Sequence, residues 1–178
     1  MAIYAGIDPS ISCTGIAVIE LTDEGKFVLL DKKSIKPTPR SKEFERKLSS
    51  FEVFKWATQN LQSFKDLSFF VFENYSYGSP GHLADLGEMT GLFKYHIVND
   101  MNLPFDTIAP SSVKKIITGS GRATKEEVRA NLANHLENFH DIEWSNFDES
   151  DATAIAIAYG IKMHQVAEEI AADESEKN

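Results

Sequence analysis

The chain opens as apolar runs separated by short polar breaks. "AIYAGID" (2–8) and "TGIAVIEL" (14–21) read as buried strands. "GKFVLLDKKSI" (25–35), rich in Val, Leu and Phe, reads as a third strand, with Asp23-Glu24-Gly25 as the turn before it. Three strands joined this closely make an antiparallel meander. Pro37 and Pro39 then break the chain, and "SKEFERKLSSFEVFKWATQNLQSF" (41–64) puts Phe44, Leu48, Phe51, Trp56 and Leu61 near helical spacing, with Ser41 as its N-cap. "LSFFVFENY" (67–75) is apolar on both faces, as a central strand should be. A helix over 82–100 and a short strand over 105–110 follow. "SSVKKIITG" is a helix stopped by Gly119. "TKEEVRANLANHLENF" (124–139) is a helix opening on a capping box, Thr124 to Glu127. The last helix runs from about Asp148 to Ile170. This order predicts an α/β domain: a mixed central sheet of five strands, the first three antiparallel, flanked by helices. One domain covers residues 1–170, and "AADESEKN" (171–178) reads as a flexible acidic tail.

Composition narrows the setting. The 178 residues are enough for one sizeable core, and 42% hydrophobic with 25% charged is ordinary for a globular protein. No apolar run approaches the roughly 20 residues of a membrane span. "MAIYAG" lacks the basic start and long apolar core of a signal peptide. The single cysteine, Cys13, excludes an internal disulfide and suits a reducing compartment, so a cytoplasmic location is expected.

The net charge of −9 argues against nucleic acid as a partner, but its distribution does not. Residues 32–47 hold Lys32, Lys33, Lys36, Arg40, Lys42, Arg46 and Lys47 against two glutamates. Residues 109–125 hold Lys114, Lys115, Arg122 and Lys125 and no acid. Either island alone reads equally well as a solvated face. The second adds Gly119 and Gly121, which let a phosphate approach the backbone.

Four carboxylates stand at element ends. Asp8 closes the first strand, Glu73 follows "FFVF", and Asp148 and Asp151 open the last helix, three residues apart on one face. Each also has a structural reading. Asp8 can cap the following turn, Glu73 can face solvent, and Asp151 can lie at the edge of the buried face. Asp148 can close a capping box with Ser145 in "SNFD". If the first and fourth strands are neighbours and the helix crosses their ends, all four converge. Such a cluster repels itself unless a cation is present. Hard carboxylate oxygens suit magnesium, and a pair of divalent ions roughly 3.5–4 Å apart can hydrolyse a phosphodiester. The small residues after Asp8 would leave room for a substrate backbone.

Four segments, "GIDPSISCTGIAVIE", "FVFENYSYGSPGHLADLGEMTG", "APSSVKKIITGSGRATKEEV" and "DESDATAIAIAYG", resemble in order the motifs of RuvC-type Holliday junction resolvases, over residues 2 to 160. The resemblance implies a ribonuclease-H-like fold and a magnesium-dependent endonuclease, with manganese able to substitute. It also implies a homodimer acting on four-way DNA junctions, without a small-molecule cofactor. By position, the metal-binding acids fall on Asp8, Glu73, Asp148 and Asp151, and the catalytic or DNA-contacting lysines on Lys114 and Lys125. Lys115 and Arg122 share their island. An aromatic that stacks at the junction centre falls on Tyr75 or Tyr77, unless both are packing residues. Leu83, Leu86, Met89, Gly91 and Phe93 mark a helix that either pairs across a two-fold or packs into the core. The acidic balance suggests a phage-encoded or divergent member. Two alternatives remain: a broader flap or branched-DNA nuclease, and an ATP-binding domain of the actin and sugar-kinase type, whose opening strand also ends on Asp before a Gly/Thr turn.

Overall fold

Alternation along the strands divides the interior into two layers. In the computed structural model, which describes residues 2–38, 42–64, 66–75 and 83–176, β1 (Ala2–Asp8) pairs antiparallel with β2 (Thr14–Leu21), setting Asp8 opposite Gly15. β2 pairs antiparallel with β3 (Phe27–Ile35). On the other side of β1, β4 (Leu67–Glu73) runs parallel, with Ile7 beside Phe72, and β5 (Phe105–Ile108) continues in parallel, with Glu73 beside Ile108. The order is β3-β2-β1-β4-β5, the five-stranded mixed sheet expected from the sequence.

One face of the sheet carries Ile3, Ala5, Ile7, Ile16, Val18, Phe70 and Phe72. It packs on α1 (Glu43–Gln59) and α2 (Leu83–Asn99), whose Phe54 and Phe93 rings stack with centroids 4.0 Å apart. The other face carries Ala17, Ile19 and Val71 and packs on α3 (Pro110–Thr118), α4 (Lys125–Asn131) and α5 (Phe147–Glu176). Period-two alternation puts Asp8 on the opposite side from Ile7, and Glu73 opposite Phe72. Both acids therefore belong to the α5 side.

α5 lies closer to the sheet than side chains would allow. A Cβ on Gly6 would stand 2.1 Å from the Ala152 carbonyl oxygen and 2.9 Å from the Ala156 Cβ. A Cβ on Gly15 would stand 2.0 Å from the Asp148 carbonyl oxygen. The helix meets the sheet backbone to backbone, and the alanines of "ATAIAIA" supply its flat face. Gly15 thus makes room for a helix rather than for a substrate. Beyond Gly160 the helix leaves the sheet, is solvent-exposed from Lys162 to Asp173, and continues past Ile170 to Glu176.

Several elements differ from the sequence reading. α1 begins at Glu43 with Lys42 in the cap position; Ser41 and the Phe44 side chain lie outside the described residues. Its buried face is Phe54 and Ala57, while Leu48 and Trp56 are exposed. The helix expected over 124–139 keeps its capping box, with the Thr124 hydroxyl accepting from Glu127 N–H (3.2 Å) and the Glu127 carboxylate from Thr124 N–H (2.7 Å). It ends at Asn131, because the chain is drawn to the open edge of β3. Phe27 N–H donates to His135 (3.1 Å) and Glu137 N–H donates to Phe27 (2.9 Å). The Asn138 amide then bonds both the N–H and the C=O of Leu29, at 3.1 and 2.9 Å. Covering an edge strand outweighs helix propensity here.

Gly6→Ala or Gly15→Ala is expected to cost about 2 kcal/mol or more, since the neighbour that must yield is backbone. Urea unfolding of each variant checks this.

Candidate active site

Asp8, Glu73 and Asp151 line one pocket of about 200 Å³, together with Lys114 and Lys125. Pro110, Val113, Val128 and Ala154 complete its walls. Strand ends supply the first two acids, the second turn of α5 the third, α3 one lysine and the start of α4 the other. The apolar walls explain the electrostatics, because burying a carboxylate among them disfavours its charge. Burial, then the neighbouring Asp151, pushes Asp8 up to about 7. Burial, then Asp8 and Asp151, pushes Glu73 up to about 8. Asp151 is raised too, chiefly by burial, with its hydrogen bond from Lys125 opposing. Burial works against the Lys125 ammonium, but its ion pair with Asp151 and the field of Asp8 and Asp148 leave it raised.

Asp148 stands within the same field but not on the pocket wall. It faces Cys13, whose thiol is pushed up to about 11 by burial and by the hydrogen bond to this carboxylate. Asp148 does not close a capping box with Ser145. Asn146 caps α5, its side-chain oxygen accepting from Glu149 N–H at 3.2 Å. Glu149 reaches back to Ser145 N–H (3.0 Å) and takes Lys32 as ion partner at 2.6 Å. Glu149 has the reach to fold back, which frees Asp148 from capping.

The donor set fits a hard divalent cation: three carboxylates share a concave, partly desolvated site, in which Asp151 raises the proton affinity of Asp8 and both raise that of Glu73. The closed shell is not preassembled. Among the described residues no three acidic, His or Cys side chains form a ready-made metal cage, and the Lys125 ammonium pairs with Asp151.

The other predicted contact residues separate. Lys115 leaves the pocket and lines a groove on the far side of α3, and Arg122 is exposed between α3 and α4. Tyr75 packs on the α2 side, its ring 5.6 Å from the Lys94 ammonium and its hydroxyl near Gly87. Tyr77 lies outside the described residues. The first basic island is largely taken up internally. Lys32 pairs with Glu149, Lys33 with Asp31, Lys42 with Glu45, and buried Lys47 with Asp85 and Glu88. Of the expected α2 stripe, Met89 and Phe93 are core. The exposed stripe is instead Ala84, Glu88, Gly91, Tyr95 and Val98, with Tyr95 61% and Val98 46% exposed and Glu88 paired with Lys47. Sequence reading missed Cys13 as a partner of Asp148, and the valine walls, since neither carries a sequence signal beyond ordinary hydrophobicity.

The family model for Crossover junction endodeoxyribonuclease RuvC matches residues 4–159. The chain belongs to this family. Among RuvC relatives, that of Chloroherpeton thalassium is 29% identical over 166 residues, covering 93% of this chain and 85% of its own. That of Orientia tsutsugamushi (strain Boryong) is 29% identical over 174 residues, covering 92% and 96%. The Thermus thermophilus RuvC structure superposes with a TM-score of 0.73 at 22% identity, over 92% of this chain and 96% of that one. That RuvC thus shares this fold, the ribonuclease-H-like architecture that the motifs implied. Among the described residues no helix is long and apolar enough to cross a membrane.

Because Asp8 and Glu73 titrate near 7 and 8 instead of the ordinary 3.8 and 4.5, the folded chain holds protons that the unfolded chain has released. Without divalent cations, stability is therefore expected to fall as pH rises from about 4 to 8. Asp8→Asn is expected to flatten that fall and to stabilise the cation-free protein at pH 8 by about 1–3 kcal/mol. Thermal melts in chelator from pH 5 to 8 measure both effects.

Proposed function

We propose that the protein is a divalent-cation-dependent endodeoxyribonuclease that cuts four-way DNA junctions, with two copies nicking strands of like polarity. The observation that carries this reading is the convergence of Asp8, Glu73 and Asp151 with Lys114 and Lys125 in one pocket of a RuvC-family chain. A RuvC structure in complex with a Holliday junction has the same fold.

Asp8, Glu73 and Asp151 would hold the cation, with Asp148 acting from the α5 side; magnesium suits this hard oxygen set, and manganese would replace it. A cation held by these carboxylates would lower the pKa of the attacking water and offset charge on the scissile phosphate. The chain's own groups do the rest. Lys114 and Lys125 grip the phosphate and offset the charge that grows on it. Val113, Val128 and Ala154 keep bulk water from the carboxylates, so that each charge acts at a lower effective dielectric. Water adds to phosphorus and the bond to the 3′ oxygen breaks, leaving a 5′-phosphate and a 3′-hydroxyl. Selection for a junction comes from shape and from the spacing of two sites in a symmetric dimer, not from base edges. The exposed α2 stripe supports pairing: Ala84 and Gly91 permit close helix approach, and Tyr95 and Val98 are apolar surface that pairing would bury.

With magnesium, the protein is expected to nick a mobile four-way junction at least tenfold faster than the same sequence as linear duplex, splayed arm or flap. Equal cutting of flaps would favour the broader debranching reading. Asp8→Asn should bind the junction with near-normal affinity and fail to cut it; normal cutting would misplace the site. Tyr95→Glu should shift the dimer to a monomer by light scattering, with α2 still folded by circular dichroism.

A further inference from the structure

Two of the cations that the fold leaves without an ion pair share one groove. Among the described residues Lys32, Lys33, Lys42, Lys47, Lys55 and Lys125 are held in ion pairs, whereas Lys115 and Lys162 make none. These two lysines, from α3 and from the exposed half of α5, line one groove of about 580 Å³ along β5. Thr107 and Ser112 add hydroxyls, and Ile108 and Ile116 an apolar lining. Asp106, next to Thr107 on β5, does not line the groove; its carboxylate accepts from the Tyr159 hydroxyl and from Thr107 N–H (2.7 Å).

We propose that this groove is a second phosphate-binding subsite, which carries the DNA backbone of a junction arm past the catalytic pocket. The proposal rests on the nuclease reading above. Its geometric basis is that α3 is a wall shared by two concavities. Pro110, Val113 and Lys114 face the catalytic pocket, while Ala109, Ser112 and Lys115 face the groove. A strand whose phosphate sits against Lys114 therefore needs only to cross α3 to reach Lys115 and Lys162. Alternating charge and apolar surface suits a sugar–phosphate backbone, with phosphates at the lysines and hydroxyls and the deoxyribose faces on the isoleucines. In a chain of net charge −9, a groove lined by two lysines and no acid, beside the candidate active site, favours a polyanion over an acidic protein segment, because it continues the surface that the nuclease reading assigns to phosphate.

The test measures binding of a labelled four-way junction across a salt series, in the Asp8→Asn background so that the DNA stays intact. The groove variant is Lys115→Gln with Lys162→Gln. Lys26→Gln, in the β2–β3 turn and outside the groove lining, controls for loss of a positive charge. The groove variant is expected to bind about tenfold more weakly at 0.1 M salt, with the log–log salt slope shallower by about 2, one for each lost phosphate contact. With Asp8 restored, its single-turnover rate at saturating junction should match the parent, since no groove residue touches the reacting phosphate. A slope and affinity equal to those of the Lys26→Gln control would overturn the subsite while leaving the nuclease reading intact. A parent chain that binds no junction at all would overturn both.

Discussion

Backbone contact between α5 and the centre of the sheet is the constraint on which the site depends. Gly6 and Gly15 bring the carbonyls of Ala152 and Asp148 to where a side chain would otherwise be. That closeness sets the first two turns of α5 over the ends of β1 and β2, so Asp151 reaches the pocket that Asp8 and Glu73 enter from strand ends. Even a one-carbon spacer on β1 would lift the helix, and the acids that approach from opposite layers would separate. Packing here is rigid because both partners are backbone, and rigidity is what a site made of mutually repelling groups needs.

The charges of the molecule sort into two classes by what surrounds them. Lys32, Lys33 and Lys47 are consumed by Glu149, Asp31, Asp85 and Glu88; the Lys32 pair ties β3 to α5, the Lys47 pairs tie α1 to α2, and the Lys33 pair stays within β3. At the pocket the balance is reversed. Partial burial, and then an excess of three carboxylates over the cations beside them, lets Asp8 and Glu73 hold protons near neutrality. An excess of negative charge in a desolvated cavity is costly for a structural site and useful for one that binds cations. Lys125 moderates that excess through Asp151, while Lys114 faces the same pocket without an ion partner among the described residues.

Much of this was legible in the sequence where a local rule and the tertiary environment agree. Strand positions followed from apolar runs, α3 ended at Gly119 in a left-handed conformation, and the α4 capping box formed as written. The placement of the four acids at element ends was also readable, but not their division into three that line the pocket and one that faces Cys13. Misreadings arose where distant partners decide. Asn131 ends α4 because the edge of β3 recruits the following residues, and nothing local announces that. Ser145 and Asp148 fit a capping pattern, yet Asn146 and Glu149 satisfy it better once Lys32 anchors Glu149. Met89 and Phe93 shared an apolar helix with the exposed stripe, and the positions of α1 and the sheet separate core from surface. Lys115 sat beside Lys114 in one basic island, but one step along a helix turns a side chain about 100° and sends it into a different groove.

The central claim is that acids from three separate elements form one cation site. Manganese binding followed by electron paramagnetic resonance, in the wild type and in Asp8→Asn, Glu73→Gln and Asp151→Asn, tests it most directly. A single shared site predicts that each substitution weakens manganese binding at least tenfold. Manganese affinity that survives Glu73→Gln unchanged, in a variant whose fold is intact, would contradict it.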